Sequence, residues 1–246
     1  MTPDDATWQQ AYLDRFYNPS DGWVSGTVEF HQLCASAVGQ DAVLLEIGAG
    51  PTNPTSRYLA TLGRLHGIDI DPDVLNNTAL TSADVLVGDR YPYANESFDL
   101  CVSNYVCEHV ADPAQHLREI HRVLRPGGAY VLRTPNRYHY VAAVSAFTPH
   151  WFHKLMANPL RAMSRDAHDP YPTFYRMNTR RTLRRLADEC AFEVEELRMV
   201  EKEPSYGMAS RALFLPFLAY ERLVNSTELL ADARSNLFVV LRKAQN

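Results

Sequence analysis

The clearest pattern in the chain is an apolar run that ends in glycines. Residues 43–47 read Val-Leu-Leu-Glu-Ile, four aliphatic residues and one acid, and Gly48-Ala49-Gly50-Pro51 follows. A short, continuous apolar run of this kind is typical of a strand buried on both faces of a parallel sheet. Glycine is needed where the backbone takes a positive φ or where another molecule approaches the main chain closely. The pattern therefore predicts a buried strand, a tight turn, and a ligand beside that turn.

The remaining apolar positions alternate between helical spacing and short runs that are typical of strands. Asp71-Pro72 and Asp112-Pro113 each pair a helix-capping acid with a proline suited to the first helical position. With 246 residues, the chain suits one α/β domain with insertions. The pattern predicts helices over residues 27–38, 56–62, 113–124 and 179–190, and strands over 43–47, 65–69, 85–87, 98–104, 129–136, 192–200 and 237–241.

Two kinds of nucleotide site compete for the glycine turn. A dinucleotide fingerprint needs glycines at 48, 50 and 53, but position 53 is asparagine. In the other interpretation, Glu46 stands at the end of the strand, where its carboxylate holds an ammonium group directly or through water. This Glu-x-Gly-x-Gly pattern resembles that of class I S-adenosylmethionine-dependent methyltransferases, of the type 11 kind. The resemblance runs from about Ala42 to Asn136, through the segments Phe98-Asp99, Val106–Val110 and Pro126-Gly127-Gly128.

The resemblance implies a fold and a domain plan. The fold is α/β, a Rossmann-like, seven-stranded, mostly parallel sheet with helices on both faces and an antiparallel C-terminal hairpin. Residues 1–41 are expected to form a helical flap, since Trp8, Tyr12 and Arg15 share one helical face. Residues 42–246 would be the methyltransferase domain. Within it, 137–177 are expected to be a substrate lid and 207–225 a second helical insertion.

The resemblance also implies S-adenosylmethionine as the cofactor. Asp69 lies 19 residues after Gly50, close to the offset at which a carboxylate accepts hydrogen bonds from ribose hydroxyls. Asp89 is the candidate for the adenine edge. Asn104, at the end of the fourth strand, should lie near the reactive methyl group. The expected cofactor-binding residues are Glu46, Gly48, Gly50, Asp69, Ile70, Asp89, Arg90 and Asn104.

Catalytic and acceptor-binding candidates lie after the fourth and fifth strands. His109 is either a general base, as a histidine with a pKa near neutrality often is, or a packing residue, and both alternatives stay open. His139 is the second catalytic candidate. The 137–177 segment is basic and aromatic, which favours a planar acceptor that carries a carboxylate or phosphate. For the arginines at 180, 181, 184 and 185, a solvated helix face is favoured instead. The expected acceptor-binding residues are Tyr12, Tyr105, Tyr138, His139, Trp151, Tyr175 and Arg176.

Charge, hydropathy and cysteine content argue against several classes of protein. The net charge of −5 argues against a general nucleic-acid binder. No apolar run is long enough to span a membrane, and the acidic N-terminus lacks the pattern of a signal peptide, so a cytoplasmic protein is expected. The four cysteines show no metal-binding spacing. Residues 212–220 are too apolar for a free surface, and intramolecular packing, a homodimer interface and lipid contact are the alternatives.

These observations favour methyl transfer from S-adenosylmethionine to a small-molecule acceptor. An anionic or aromatic metabolite is expected, with O-methylation, including that of a carboxyl group, preferred over other sites. No Asp/Asn-Pro-Pro-Tyr segment follows the fourth strand, which disfavours amino-group methylation of nucleic acid. The alternatives are an inactive S-adenosylmethionine-binding partner subunit and, less favoured, a nicotinamide-dependent oxidoreductase.

Overall fold

The described part of the chain forms a seven-stranded sheet with flanking helices. The computed structural model describes residues 3–140, 171–204, 207–208 and 210–245, and for residues 3–7 the backbone alone. The strands are β1 (Ala42–Ile47), β2 (Gly63–Asp69), β3 (Ser82–Val85), β4 (Phe98–Asn104), β5 (Leu124–Pro135), β6 (Phe192–Val200) and β7 (Asn236–Lys243). The described α-helices are α1 (Pro3–Phe16), α2 (Gly26–Ser36), α3 (Pro54–Leu59), α4 (Pro113–Val123), α5 (Arg180–Glu189) and α6 (Arg211–Asn225).

The sheet order is β3-β2-β1-β4-β5-β7-β6, which confirms the predicted fold class. The pairs β3–β2, β2–β1, β1–β4 and β4–β5 are parallel, and β7 pairs antiparallel with β5. The carboxyl ends of β1, β2, β4 and β5 therefore meet along one edge, where open parallel sheets bind their ligands. In the centre of the sheet, Leu44, Leu45 and Leu100 are fully buried.

Several predicted elements have different bounds or a different type, and strand pairing or capping accounts for three of these differences. The third strand was expected over 85–87, but β3 covers Ser82–Val85, because these residues pair with β2 from His66 to Asp69. Residues 72–76 form a 3-10 helix, and Asp71 caps it by accepting from the Asp73 N–H at 2.9 Å. The fifth strand begins at Leu124, ahead of the Pro-Gly-Gly turn, because Leu124 already pairs with Phe98.

Side-chain caps define the starts of three helices: Asp112 was predicted as a cap, whereas α3 begins at Pro54, ahead of the expected start at residue 56, because Asn53 caps it. Asn53, Asp112 and Thr179 each have an extended backbone and accept a hydrogen bond from an N–H of the following turn. A proline occupies the first turn after Asn53 and after Asp112, where its missing N–H costs nothing. These caps set the directions of α3, α4 and α5 relative to the strands before them.

Backbone contacts divide the chain into two compact units. One comprises Phe30–Arg137, Tyr171–Met199 and Asn236–Asn246, and it contains most of the sheet. The other comprises Met1–Glu29, Tyr138–Pro170 and Val200–Ser235. In the second unit, Tyr17, Phe214 and Leu218 form a buried cluster with partly buried aromatic residues of α1. Phe214 and Leu218 come from the apolar 212–220 segment, so this part of it packs inside its own unit. Among the described helices, none is long and apolar enough to cross a membrane.

A buried polar network joins β4, β5 and α4. The Tyr130 hydroxyl lies 2.6 Å from Ser103 Oγ, 3.4 Å from Cys107 Sγ and 3.2 Å from His116 Nε2. His116 Nδ1 lies 3.1 Å from the Tyr91 hydroxyl. Burial lowers the pKa of His116 to about 4, because the charged imidazolium loses its hydration there. The network fixes the segment that runs from β4 into the loop after it.

We expect His116 to make stability depend on pH. Because the pKa of His116 is about 4 in the folded chain and near 6.5 when unfolded, the unfolded chain binds more protons between these values. The stabilisation is complete above pH 6.5 and is lost as the pH falls towards 4. Urea unfolding should show that His116 contributes up to about 2 kcal/mol less stability at pH 5 than at pH 7. In His116→Gln this part of the pH dependence should disappear, and an unchanged pH dependence would contradict the assignment.

Candidate functional site

The glycine turn after β1 needs both of its glycines. Gly48 has φ +69° and Gly50 has φ +52°, both in the left-handed region. The Gly48 N–H donates to Ile68 O at 2.8 Å, which ties the turn to the end of β2. A Cβ added to Gly48 would lie 2.3 Å from Val106 Cγ2. The main chain of the turn is therefore held close to the loop that follows β4.

The side-chain amides of Asn53 and Asn77 donate hydrogen bonds to carbonyl oxygens of the glycine turn. Asn53 Nδ2 donates to Ala49 O and to Ser56 Oγ, both at 2.8 Å. Asn77 Nδ2 lies 3.1 Å from Gly50 O and 3.0 Å from Ser56 Oγ. Sequence reasoning used Asn53 only as a departure from a dinucleotide fingerprint, and it missed Ser56 and Asn77. Asn77 lies in a polar loop with no recognisable motif, so its contact with the turn appears only in three dimensions.

Glu46 is a buried acid at the end of β1. It is 3% exposed, and its Oε2 has no hydrogen-bond partner among the described residues. Burial raises the pKa of Glu46 from 4.5 to about 7; a hydrogen bond from Ser56 opposes the shift and the nearby Asp69 carboxylate adds to it. A buried carboxylate with an open acceptor atom is stabilised by a cationic donor. The site therefore fits an ammonium group beside the glycine turn.

Asp69 closes the other side of the turn. Its Oδ2 accepts the Gly50 N–H at 2.8 Å, and its Oδ1 accepts the Asp71 N–H at 2.9 Å. An ionised carboxylate has about four acceptor positions, so these two bonds leave room for hydroxyl donors. Ile70, the next residue, is 58% exposed and presents an apolar side chain at the same edge. The arrangement is compatible with ribose binding, the role predicted for Asp69.

Asp89 and Arg90 lie in an exposed loop after β3. The loop begins at Gly88, which has φ +77°. No described hydrogen bond places Asp89 or Arg90 at the glycine turn, and their cofactor roles remain predictions.

Asn104 and Arg133 form a pair at the carboxyl ends of β4 and β5. Arg133 Nε donates to Asn104 Oδ1 at 2.7 Å, and Asn104 Nδ2 donates to Thr55 Oγ1 at 3.2 Å. The Arg133 guanidinium lies 4.6 Å from the centre of the Tyr105 ring. Tyr105 has φ +59° and is 42% exposed. A non-glycine residue in the left-handed region is strained, and such strain often occurs at functional sites.

His109 is positioned by one contact that settles its tautomer. Nδ1 lies 3.0 Å from Pro172 O. A carbonyl oxygen only accepts, so in the neutral ring Nδ1 carries the hydrogen and Nε2 keeps the lone pair. The Tyr171 ring packs edge-on against the imidazole at 6.2 Å. The contact fixes which nitrogen keeps the lone pair, and the general-base role of His109 remains a prediction.

Residues 171–178 lie across the loop that carries His109. The N–H groups of Phe174 and Tyr175 donate to Glu108 O at 2.7 and 3.2 Å, and Arg176 donates to Ala111 O. Tyr175 has φ +50°. The Tyr171 hydroxyl donates to Asp71 Oδ2 at 2.8 Å, and this bond raises the pKa of Tyr171 to about 12. The structure thus brings Tyr175 and Arg176 to the same loop as Tyr105 and His109.

Glu108 anchors this arrangement from inside the fold. The Thr134 hydroxyl donates to Glu108 Oε2 at 3.1 Å, and Asn178 Nδ2 donates to Thr134 Oγ1 at 2.6 Å. Burial raises the pKa of Glu108. The hydrogen bonds that run from Glu108 through Thr134 to Asn178 link the His109 loop, β5 and the start of α5.

The other predicted acceptor-binding residues belong to the second compact unit or lie outside the described residues. Tyr12 stacks on Phe214 with ring centres 4.9 Å apart. Tyr138 is 68% exposed. His139 is buried, and its Nε2 lies 3.4 Å from Glu201 Oε2. Trp151 lies outside the described residues, as does most of the predicted lid. The catalytic and binding roles of these four residues remain predictions.

Comparisons with known proteins agree with this geometry. A family model described as a methyltransferase domain matches residues 45–132, which span the glycine turn, Asp69, Asn104 and His109. Residues 45–132 therefore match a methyltransferase domain. The family match and the structural neighbours support S-adenosylmethionine as the cofactor. An uncharacterised methyltransferase of Mycolicibacterium vanbaalenii is 32% identical over 132 residues, which are 51% of this chain and 52% of that protein.

Solved methyltransferase structures have the same fold. A Methanosarcina mazei S-adenosylmethionine-dependent methyltransferase has a TM-score of 0.56 at 16% identity, over 91% of this chain and 99% of that chain. The geranyl diphosphate C-methyltransferase of Streptomyces coelicolor, solved with S-adenosylhomocysteine, has a TM-score of 0.56 at 13% identity, over 89% and 81% of the two chains. At this level of identity the likeness shows the fold alone. The match covers about half the length of the mycobacterial relative. The methyl acceptor and the activity of the whole protein are therefore proposals.

A matched pair of glycine substitutions tests the turn of this methyltransferase domain. Gly48→Ala adds a Cβ within 2.3 Å of Val106 at φ +69°, whereas Gly88→Ala adds one at φ +77° with nothing within 4 Å. Both variants should lose about 1–2 kcal/mol of stability from the backbone conformation. Only Gly48→Ala should also lose affinity for S-adenosylhomocysteine, by tenfold or more in calorimetric titration. Equal effects of the two variants would contradict the proposed close approach at Gly48.

Proposed function

We propose that the chain transfers a methyl group from S-adenosylmethionine to an anionic or aromatic small molecule, with oxygen as the preferred acceptor atom. The observation that carries the proposal is the buried Glu46 carboxylate beside the glycine turn, with its free acceptor atom and its pKa of about 7. A cofactor with an ammonium group supplies the donor that this atom needs. Asp69, at the far side of the turn, supports the binding of a ribose.

The protein's contribution to such a reaction is alignment. When bound, the cofactor supplies a methyl group on a sulfonium; the acceptor oxygen forms a new bond to carbon while the sulfur–carbon bond breaks, and the electron pair stays on sulfur. The glycine turn and Asp69 would fix one reactant, and the residues after β4 and β5 would fix the other. Bringing two reactants into line in this way removes much of the entropic cost of the reaction.

The acceptor side is aromatic and positively charged. The Arg176 guanidinium lies 5.2 Å from the centre of the Phe174 ring, and the exposed ring of Tyr105 lies on Arg133. Phe174 is 40% exposed. Aromatic faces bind a planar molecule, and an arginine recognises a carboxylate or phosphate with two parallel hydrogen bonds. These features support a planar acceptor that carries a negative charge.

His109 would serve acceptors that must lose a proton. Its Nε2 lone pair can take the proton of a hydroxyl as the oxygen attacks, while Nδ1 stays bonded to Pro172 O. A carboxylate acceptor is already deprotonated and needs no base. The rate of methyl transfer would therefore depend on His109 for hydroxyl acceptors and would not depend on it for carboxylate acceptors.

This difference can be tested by comparing phenols with aromatic carboxylates as methyl acceptors. The protein is incubated with methyl-labelled S-adenosylmethionine and a panel of phenols and aromatic carboxylates, and both S-adenosylhomocysteine and the methylated product are measured. We expect turnover with at least one anionic aromatic acceptor. For a phenolic acceptor, His109→Gln should lower kcat by about 10²- to 10⁴-fold. For a carboxyl acceptor it should leave kcat unchanged.

Two controls separate binding from chemistry. His109→Gln should bind S-adenosylhomocysteine as tightly as the wild type, since His109 is assigned to the acceptor. Arg176→Met should raise KM for anionic acceptors and spare neutral ones. Cofactor binding without turnover on any acceptor would refute the proposal and favour an inactive partner subunit.

A further inference from the structure

Residues 171–176, which we call the strap, contact two loops at the carboxyl edge of the sheet. At one end, the Tyr171 hydroxyl donates to Asp71 Oδ2 at 2.8 Å, in the loop after β2. At the other end, the Phe174 N–H donates to Glu108 O at 2.7 Å, in the loop after β4. The strap therefore runs from the β2 side of this edge to the β4 side.

The strand order places the glycine turn between these two loops. β1 lies between β2 and β4, and its carboxyl end leads directly into the turn. β2 and β4 are separated by two strand spacings, or about 10 Å. The three steps from Tyr171 to Phe174 span at most about 11 Å of backbone. The strap is therefore just long enough to join the two loops by crossing the carboxyl end of β1.

Both loops that hold the strap adjoin residues assigned to the cofactor. The Asp71 N–H donates to Asp69 Oδ1 at 2.9 Å, and Asp69 Oδ2 accepts an N–H of the glycine turn. The Tyr171 hydroxyl is close enough to Asp69 for that carboxylate to contribute to the raised pKa of the tyrosine. In the loop after β4, Val106 lies against Gly48 of the turn. A ligand bound by the turn and Asp69 would therefore lie behind the strap.

The two ends of the strap are held unequally. Four described hydrogen bonds join it to residues 108–111, and the strap residues that form them are Pro172, Phe174, Tyr175 and Arg176. At the β2 end, the described part of the chain shows one hydrogen bond, that of Tyr171, which is 42% exposed. Segments with few buried contacts and solvent-exposed hydrogen bonds open most easily. The strap should therefore open at Tyr171 and stay attached to the loop after β4.

We propose that the strap gates exchange of the cofactor, with the hydrogen bond from Tyr171 to Asp71 as its latch. The inference rests on the proposed function, because it adds control of exchange to the same cofactor site. S-adenosylmethionine enters and S-adenosylhomocysteine leaves while the latch is open. Phe174 and Arg176 keep their proposed acceptor roles at the β4 end, and the new role belongs to the β2 end of the strap.

Gating has a kinetic signature that separates it from two other roles of Tyr171. The latch joins two residues of the protein whether or not a ligand is bound, so weakening it raises the association and dissociation rates in parallel and leaves Kd the same. If Tyr171 contacted the ligand directly, loss of its hydroxyl would raise the dissociation rate alone. If the strap occupied the cofactor's place, a weaker latch would raise the association rate alone.

Surface plasmon resonance with S-adenosylhomocysteine on the immobilised full chain measures both rates. Tyr171→Phe keeps the ring and removes the donor, and we expect both rate constants to rise at least threefold, with Kd unchanged within twofold. Tyr58→Phe is the matched control. Tyr58 lies on α3 in the same compact unit, and its hydroxyl makes no hydrogen bond to the described residues. Both rate constants of this control should equal those of the wild type.

Asp71→Asn is the second variant, and it decides the outcome if Tyr171→Phe binds no ligand. Asparagine still caps the 3-10 helix at residues 72–76, but it accepts a weaker, uncharged hydrogen bond from Tyr171. Both rate constants should rise in parallel, by twofold or more.

Unchanged rates in the latch variants would overturn the inference, as would a change confined to one of the two rates. An equal rise in Tyr58→Phe, or loss of binding in both latch variants, would overturn it as well. Failure of the wild type to bind S-adenosylhomocysteine would refute the proposed function itself, and the gate with it.

Discussion

The structure depends on keeping one carboxylate out of water at the end of its central strand. Glu46 belongs to a strand whose other side chains are almost all buried, and it keeps an acceptor atom with no described partner. An unpaired buried charge would destabilise the fold, and the chain limits that cost by letting the pKa of the carboxyl rise to about 7. The free protein therefore holds Glu46 partly protonated at neutral pH. A ligand that brings a positive charge removes the conflict, so stabilisation of the site is coupled to binding.

The residues around this carboxylate hold the glycine turn in place. Two left-handed glycines let the main chain turn sharply, and the side-chain amides of Asn53 and Asn77 donate to carbonyl oxygens of that turn. Asp69 takes the Gly50 N–H and so defines the width of the turn. On the other side, the polar network around Tyr130 and His116 fixes the segment that carries Asn104, Tyr105 and His109. In the proposed function, the glycine turn with Asp69 binds the cofactor, and the aromatic residues after β4 and β5 bind the acceptor.

Much of the fold could be predicted from sequence because its signals are local. The apolar run of β1, the Asp71 and Asp112 caps with their prolines, and the spacing from Gly50 to Asp69 each depend on residues close together in the chain. The misplaced third strand shows the limit: Val85-Leu86-Val87 is the more apolar stretch, yet pairing with β2 selects Ser82–Val85. Asn77, Glu108 and Arg133 could not be assigned from sequence, because their partners lie 21 to 29 positions away or further. Tyr12 of the predicted flap and His139 of the predicted lid likewise have neighbours, Phe214 and Glu201, that no local pattern reveals.

The most direct test of this account is the pH dependence of cofactor binding in the wild type and in Glu46→Gln. Only ionised Glu46 pairs with the ammonium, and the pKa of the free carboxyl is about 7. Wild-type affinity for S-adenosylmethionine should therefore rise by up to tenfold per pH unit between pH 5.5 and 7 and then level off. Glu46→Gln should bind more weakly at pH 8 and lose this rise, and NADH should bind neither protein. Equal affinities and equal pH profiles for the two proteins, or preferential binding of NADH, would contradict the account.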